Sequence, residues 1–480
     1  MKSIIKINIF KHFSFALFLF TSIESQATIT STLQDEASYA SVNDWAIPTK
    51  SVELLYQYSA AKNSDLTKSQ LVKSIIENHL LANYAEQTIG LSKISDETKV
   101  GFKQKYATQE QLINVLKYKY QENISQSIHQ LEGGNLNSVI VTPITISKAM
   151  LSKLFIMNKA MEYKINSKQQ NTFKITSLLN YQFPQGKQQS ITLWDIYDRT
   201  NMQEKIALFK ADTHTLKKLT HRYLSSLYVS YWVKQFTEVS DTELNSLKQF
   251  IAENRIGHQV HLYKGSKTTV HHSNQTLRTL SKQVSPQEIE QYFLSHKEEF
   301  KTVQKVKARH IQLTSQIQAD QVYQELKSGL NFNKAIKKYS QAADKNNRIP
   351  GGLGWIIRKD IKGNWLRTLP FTQKQVATFS APFMSPKKNY ENPVWEIIYL
   401  DERVLGYLLP TSKTVQYNAS KAIAKKRINQ SVNETKNQIW KKARVNLNKK
   451  KISLDVFNQQ TTDLTLFSKS HQHGENGHEH

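Results

Sequence analysis

The sequence contains no cysteine, which excludes a disulfide framework and a thiol-linked lipid anchor, so the fold must rest on packed cores. Beyond the first 27 residues no apolar run reaches the roughly 20 residues needed to cross a bilayer as a helix. A nucleophile elbow is absent, and so is any ordered acid–histidine pair of the serine-hydrolase kind. Acidic residues are scarce, 39 against 65 lysines and arginines, and the formal net charge is +26. A chain of 480 residues is too long for one core, and domains of roughly 100 to 200 residues imply two to four.

The first 27 residues read as an export signal. Lys2, Lys6 and Lys11 form a basic start, Phe13 to Ile23 an apolar run, and Ser25-Gln26-Ala27 a small-residue cleavage site. Cleavage after Ala27 would remove three lysines and one glutamate, leaving +24 on a periplasmic or secreted chain. Export argues against nucleic acid as the partner of this basic surface. Acidic polypeptides, peripheral contact with an anionic membrane, or simple charge-based solubility stay open.

Helical spacing dominates the chain from about residue 40 onward. The segment from Val42 to Thr49 reads as an extended piece entering a helix, with Thr49 as its cap. Leu71, Ile75, Ile76, His79 and Leu80 mark one face of a helix that Thr67 or Ser69 would cap. Further helices are expected from 96 to 135 and from 144 to 253, with Pro184-Gln185-Gly186 as an interrupting turn. Ser285-Pro286-Gln287-Glu288 has the cap, N1 proline and acidic N3 of a helix start. Strand-like runs appear at Val306 to Leu313 and Pro393 to Leu400. After Thr414 a basic helix runs to about 448, Ile452 to Val456 reads as a short strand, and the end is polar.

Within this pattern one region carries an ordered set of features. Lys307-Ala308-Arg309-His310-Ile311-Gln312-Leu313 ends a strand, and a helix with Val322 and Leu326 follows. Then come Gly329-Leu330-Asn331-Phe332, Ala335, Tyr339-Ser340 and Gly351-Gly352-Leu353-Gly354-Trp355. Together these resemble the parvulin family of peptidyl-prolyl isomerases. Val42 to Ile47, the helix around Leu71 to Ala85, and the approach helix Val284 to Phe300 resemble the exported SurA-like and PrsA-like foldases. The resemblance implies an α+β chain: a mostly helical chaperone body with an inserted mixed α/β domain. The expected divisions are a signal at 1–27, an N-terminal helical segment at 28–140 and a helical region at 141–304. The isomerase-like domain at 305–413, a C-terminal helical segment at 414–467 and a polar tail at 468–480 follow.

The resemblance also assigns roles. Isomerisation needs rotation about an X-Pro amide over a barrier of about 20 kcal/mol. An apolar pocket, withdrawal of water and a polar cluster can lower it. His310 matches the family's strand histidine. The family places a cysteine or aspartate soon after the tyrosine–serine pair, and here the nearest acid, Asp344, comes late. The second family histidine belongs on the last strand, assigned to Val404 to Leu409, where there is none. Leu369 matches the proline shelf, with Phe371 or Phe379 as its aromatic wall, and Trp355 is expected as a plug beneath the glycine loop.

No cofactor is required by this chemistry. In the tail, His471, His473, His478 and His480 stand among Glu475 and Glu479, a spacing that can share zinc, nickel or copper loosely. Three readings remain: an isomerase acting on unfolded or proline-containing exported polypeptides, a holdase with a degenerate parvulin domain, and a metal-linked maturation factor for one dedicated partner.

Overall fold

The computed structural model describes residues 29–32, 36–94, 103–157, 162–267, 274–361, 363–386 and 392–458. In chain order, strands β1 (Ile29–Thr32), β2 (Ser38–Val42) and β3 (Trp45–Pro48) precede helices α1 (Thr49–Ala60), α2 (Lys68–Tyr84), α3 (Leu91–Ile94) and α4 (Gln104–His129). Strand β4 (Ile140–Thr142), helices α5 (Lys148–Leu154) and α6 (Ser167–Ile175), and strands β5 (Ser177–Tyr181) and β6 (Gln189–Thr192) come next. Helices α7 (Leu193–Tyr197), α8 (Met202–Phe209), α9 (Thr213–Phe236), α10 (Asp241–Lys264), α11 (Gln275–Lys282) and α12 (Pro286–Ser295) follow. Strand β7 (Lys301–Leu313) leads to α13 (Gln316–Lys327), α14 (Phe332–Tyr339), β8 (Gly352–Ile357) and α15 (Trp365–Thr368). The chain continues as β9 (Thr378–Phe379), β10 (Phe383–Met384), β11 (Trp395–Tyr407), α16 (Lys413–Lys442), β12 (Val445–Leu447) and α17 (Asp455–Asn458). This is an α+β chain, mostly helical with small sheets.

It divides into two compact units, residues 1–273 with 429–480, and residues 274–428. The boundaries expected at 305 and 413 therefore fall at 274 and 428. Helices α11 and α12 belong with the mixed domain: Leu277 packs with Ala424 and Ile428 of α16, and Val284, Ile289, Phe293 and Phe300 pack with Val415 and Ala419. Nor do the first 140 residues and the following helical stretch form separate bodies. One core runs from Tyr39 through Leu116, Tyr228 and Ile251 to Val445 and Phe457.

In the first unit, β12 lies between β1 and β2 in the order β1-β12-β2-β3, pairing parallel to the former and antiparallel to the latter. Alternating burial of Val445 and Leu447 against core-facing Ala40 and Val42 sets that register. The short C-terminal strand is thus Val445–Leu447, and the stretch expected as a strand at 452–456 instead turns into α17. Around Pro184-Gln185-Gly186 the chain forms a β-hairpin, β5 pairing with β6 and with β4, not a break between helices. Leu178 and Leu179 are buried on opposite faces of β5, a pattern that spacing alone cannot separate from a helix.

Local chemistry explains the helix starts. Thr67 and Gln70 form a reciprocal capping box on α2, as Ser285 and Glu288 do on α12. Thr49 is the first residue of α1 rather than its cap, its hydroxyl donating to the Glu36 carbonyl. Among the described residues no helix is long and apolar enough to cross a membrane.

Candidate functional site

The second unit is organised by β7 and β11, which pair antiparallel from Lys301 opposite Tyr407 to Leu313 opposite Trp395. Strand β8 pairs on the other side of β7, while β9 and β10 pair with β11. Side chains alternate between the two faces. Ile311, Leu313 and Ile397 meet Val322 and Leu326 of α13 and Ala335 and Ile336 of α14. The opposite face carries Val306, Ala308, His310, Gln312, Glu396, Ile398 and Leu400, by the pairings Ala308–Leu400, His310–Ile398 and Gln312–Glu396.

His310 lies at the polar end of that face, 4% exposed. Its Nδ1 donates to Glu396 Oε2 at 2.7 Å, and its Nε2 faces Asp344 Oδ2 at 3.1 Å. Glu396 is fully buried, and its second oxygen accepts from Gln312 Nε2 at 2.9 Å. Burial alone would lower the His310 pKa. The hydrogen bond and charge of Glu396, joined by the charge of Asp344, outweigh it and hold the imidazole above its ordinary value.

Local sequence delivers Asp344 to this place. After α14, Ser340 Oγ accepts from the Gln312 backbone N–H and Gln341 N–H donates to the Gln312 carbonyl, so the loop is stitched to β7. Asp344 follows in a short 3-10 turn, where its carbonyl receives the Gly351 N–H. Gly351 in turn accepts from the His310 N–H at 2.8 Å, with φ +60. A Cβ there would stand 2.4 Å from the His310 carbonyl oxygen. This is the close approach that requires glycine.

The apolar part of the face holds Leu369, buried with Ala308 and Ile398 and flanked by Trp365, Leu366 and Phe383. Phe371 packs further along with Val306, Ile356 and Leu400, under the Arg358 guanidinium. Phe379 does not belong to this wall. It pairs with Tyr399 and meets Tyr323 of α13 edge-on, on the helix-covered face. Phe383, opposite Glu396, supplies the aromatic side chain on the His310 face. Trp355 is 41% exposed beneath Lys305, not a buried plug.

The structure thus brings His310 and Asp344 together and places Leu369 and Phe371 on the same face. Sequence reasoning misses Glu396 because it assigns the last strand to 404–409. That stretch and 395–400 are one strand, and Gly406 lies opposite Thr302, far along β7 from His310. The signal that could have found it is a lone acid inside the apolar run Trp395 to Leu400. Asp344 Oδ1 is buried with no hydrogen-bond partner among the described residues, while the Asp344 side chain is 27% exposed and His310's is 5%. Asp344 is therefore the most exposed member of the trio. Among the described residues no group of three or more His, Cys, Asp or Glu side chains is arranged to hold a metal ion. His471, His473, His478 and His480 lie outside the described residues, as does the 1–27 segment.

No family model matches the chain, and comparison with curated proteins gives no match. Solved structures similar to it include SurA-like chaperones and PrsA foldases. A SurA-like chaperone of Campylobacter jejuni is 17% identical over 48% of this chain and 85% of its own, with a TM-score of 0.19. A peptidylprolyl isomerase, PrsA, of Bacillus anthracis is 15% identical over 46% and 84%, with a TM-score of 0.19. PrsA of Bacillus subtilis is 16% identical over 58% and 97%, with a TM-score of 0.18.

Proposed function

We propose that this chain is an exported folding helper whose β7–β11 domain accelerates rotation about X-Pro bonds in unfolded polypeptides, while the helical unit holds them. The observation that carries this is the Glu396–His310–Asp344 chain at the end of an apolar face formed by Leu369, Phe371 and Phe383. An amide resists rotation because nitrogen donates its lone pair into the carbonyl, placing negative charge on oxygen. Water stabilises that charge. A proline ring on the Leu369 shelf would leave water behind, and a carboxylate beside the carbonyl oxygen would oppose charge build-up there. Asp344 is the residue for that role. His310 and Glu396 hold it in place as positioning residues.

The test is line-shape NMR exchange on a short proline peptide with the full chain. Asp344→Asn and His310→Ala should each lower the catalysed rate about tenfold or more. An exchange rate equal to the uncatalysed one with the folded wild type would remove the enzymatic reading. A second reading, a holdase with a degenerate domain, draws on the fact that both His310 nitrogens already face carboxylates. Under it, client protection persists without catalysis. The histidine tail is proposed as a loose zinc or nickel site, and metal uptake unchanged in a chain ending at Ser470 would dismiss it.

A further inference from the structure

The helical unit contains a feature that the isomerase reading does not use. Between α4, the turn after α7, and α9 lies a cavity of about 70 Å³ lined by Tyr106, Ile113, Leu219 and Tyr223 together with Arg199 and Arg222. Such a volume takes a group of a few heavy atoms.

Arg199 lines this cavity. Its guanidinium lies between two rings, 4.4 Å from the centroid of Tyr106 and 4.0 Å from that of Tyr223, and Nη2 donates to the Tyr223 hydroxyl at 2.6 Å. Two aromatic faces and a phenol fix the plane of the guanidinium before any ligand arrives. Nε is buried and has no acceptor among the described residues.

Among the described residues no carboxylate is ion-paired with Arg199. Asp198, next in the chain, is buried among Lys103, Lys105 and Tyr106. Arg222 is paired with Glu204 at 3.1 Å. Glu110, which also borders the cavity, is exposed to solvent. A guanidinium donor held out of water without an acceptor is costly unless something supplies one.

We propose that this cavity binds a carboxylate of a captured polypeptide, either an Asp or Glu side chain or a free C-terminus, against the Arg199 fork. The planar fork matches a carboxylate at two points. One such cation suits a monoanion better than a phosphate dianion, and Ile113 and Leu219 suit its methylenes. The polypeptide part rests on the reading of the helical unit as a client-holding body. The carboxylate part stands on the cavity itself.

The experiment uses the full chain labelled with ¹⁵N-arginine, the Arg199 Nε–H signal being assigned by its disappearance in Arg199→Lys. Titration with propionate should shift that signal saturably, and propionamide should leave it in place. In parallel, fluorescence anisotropy compares three labelled decapeptides: internal Glu with an amidated end, internal Gln with a free end, and internal Gln with an amidated end. One or both carboxylate peptides should bind about tenfold more tightly than the neutral one, and Arg199→Lys should erase the preference. That variant keeps the charge and the cation–π contact, so attraction to the lysine-rich surface would survive it. An Nε signal unmoved by propionate, or moved equally by propionamide, overturns the site. A propionate response without any peptide preference upholds the carboxylate site and overturns the client reading.

Discussion

Glu396 and His310 stand diagonally across two antiparallel strands, Glu396 opposite Gln312 and His310 opposite Ile398, and join through a 2.7 Å hydrogen bond at Nδ1. Both are almost wholly buried. Because burial opposes the charge and the two carboxylates more than offset it, the folded His310 has a pKa above the ordinary 6.5.

Linkage fixes the pH dependence. A group whose folded pKa is raised contributes stability that is complete below its unfolded pKa and is lost as pH rises through the folded value. Urea unfolding of wild type against Glu396→Gln should therefore show a larger gap at pH 6 than at pH 9. A gap that widens with pH would contradict the assignment. Glu396→Leu, which strips the acceptor from both His310 and Gln312, should cost about 3 kcal/mol at pH 6.

The two phenylalanines at 379 and 383 separate shelf from core. Phe383→Ala should raise KM for a proline peptide about tenfold with little change in stability, because its ring lies on the Leu369 side. Phe379→Ala should instead cost about 2 kcal/mol of stability and leave kcat/KM unchanged, its ring being packed on Tyr323. The reverse pattern would place the substrate on the helix-covered face.

Gly351→Ala tests the junction that holds His310. The substituted residue would need a left-handed φ and would overlap the His310 carbonyl, so a loss of about 2 to 4 kcal/mol is expected. Hydrogen exchange should show the loop from Ser340 to Gly352 opening first. Unchanged stability would mean that the backbone can move aside at no cost.

Under the proposed function, client holding should survive removal of the β7–β11 domain. Lys301 and Tyr407 are paired at the base of the β7–β11 ribbon, so a flexible linker between them can replace 302–406 and leave Tyr407 in the cluster of Phe293, Phe300 and Val415. Light scattering of an aggregating unfolded outer-membrane client should show protection by both proteins. Loss of protection by a shortened chain that is folded by circular dichroism would locate binding in the excised domain.

Much of the fold is legible along the chain. The α2 and α12 starts are visible because capping chemistry is local: Thr67 with Gln70, and Ser285 with Glu288, lie three residues apart. The order from His310 through Tyr339-Ser340 to Gly351 marks the β7–β11 domain for a similar reason. Ser340 and Gly351 each serve a backbone contact near His310 that tolerates few other side chains.

Facing and pairing are not legible there. Whether Phe379 or Phe383 shares a face with His310 depends on strand parity, and a one-residue change in register reverses it. Glu396 becomes a partner of His310 only once β11 is recognised as one 13-residue strand. Strand β12 joins β2 across some 400 residues of chain, and nothing near Val445 says which strand it will meet. Composition, caps and motif order are written in neighbours along the chain, and they suffice for the class of fold and the position of His310. The partners of that histidine, and the stacked Arg199 of the helical unit, depend on side chains from distant segments, which meet only when the chain has folded.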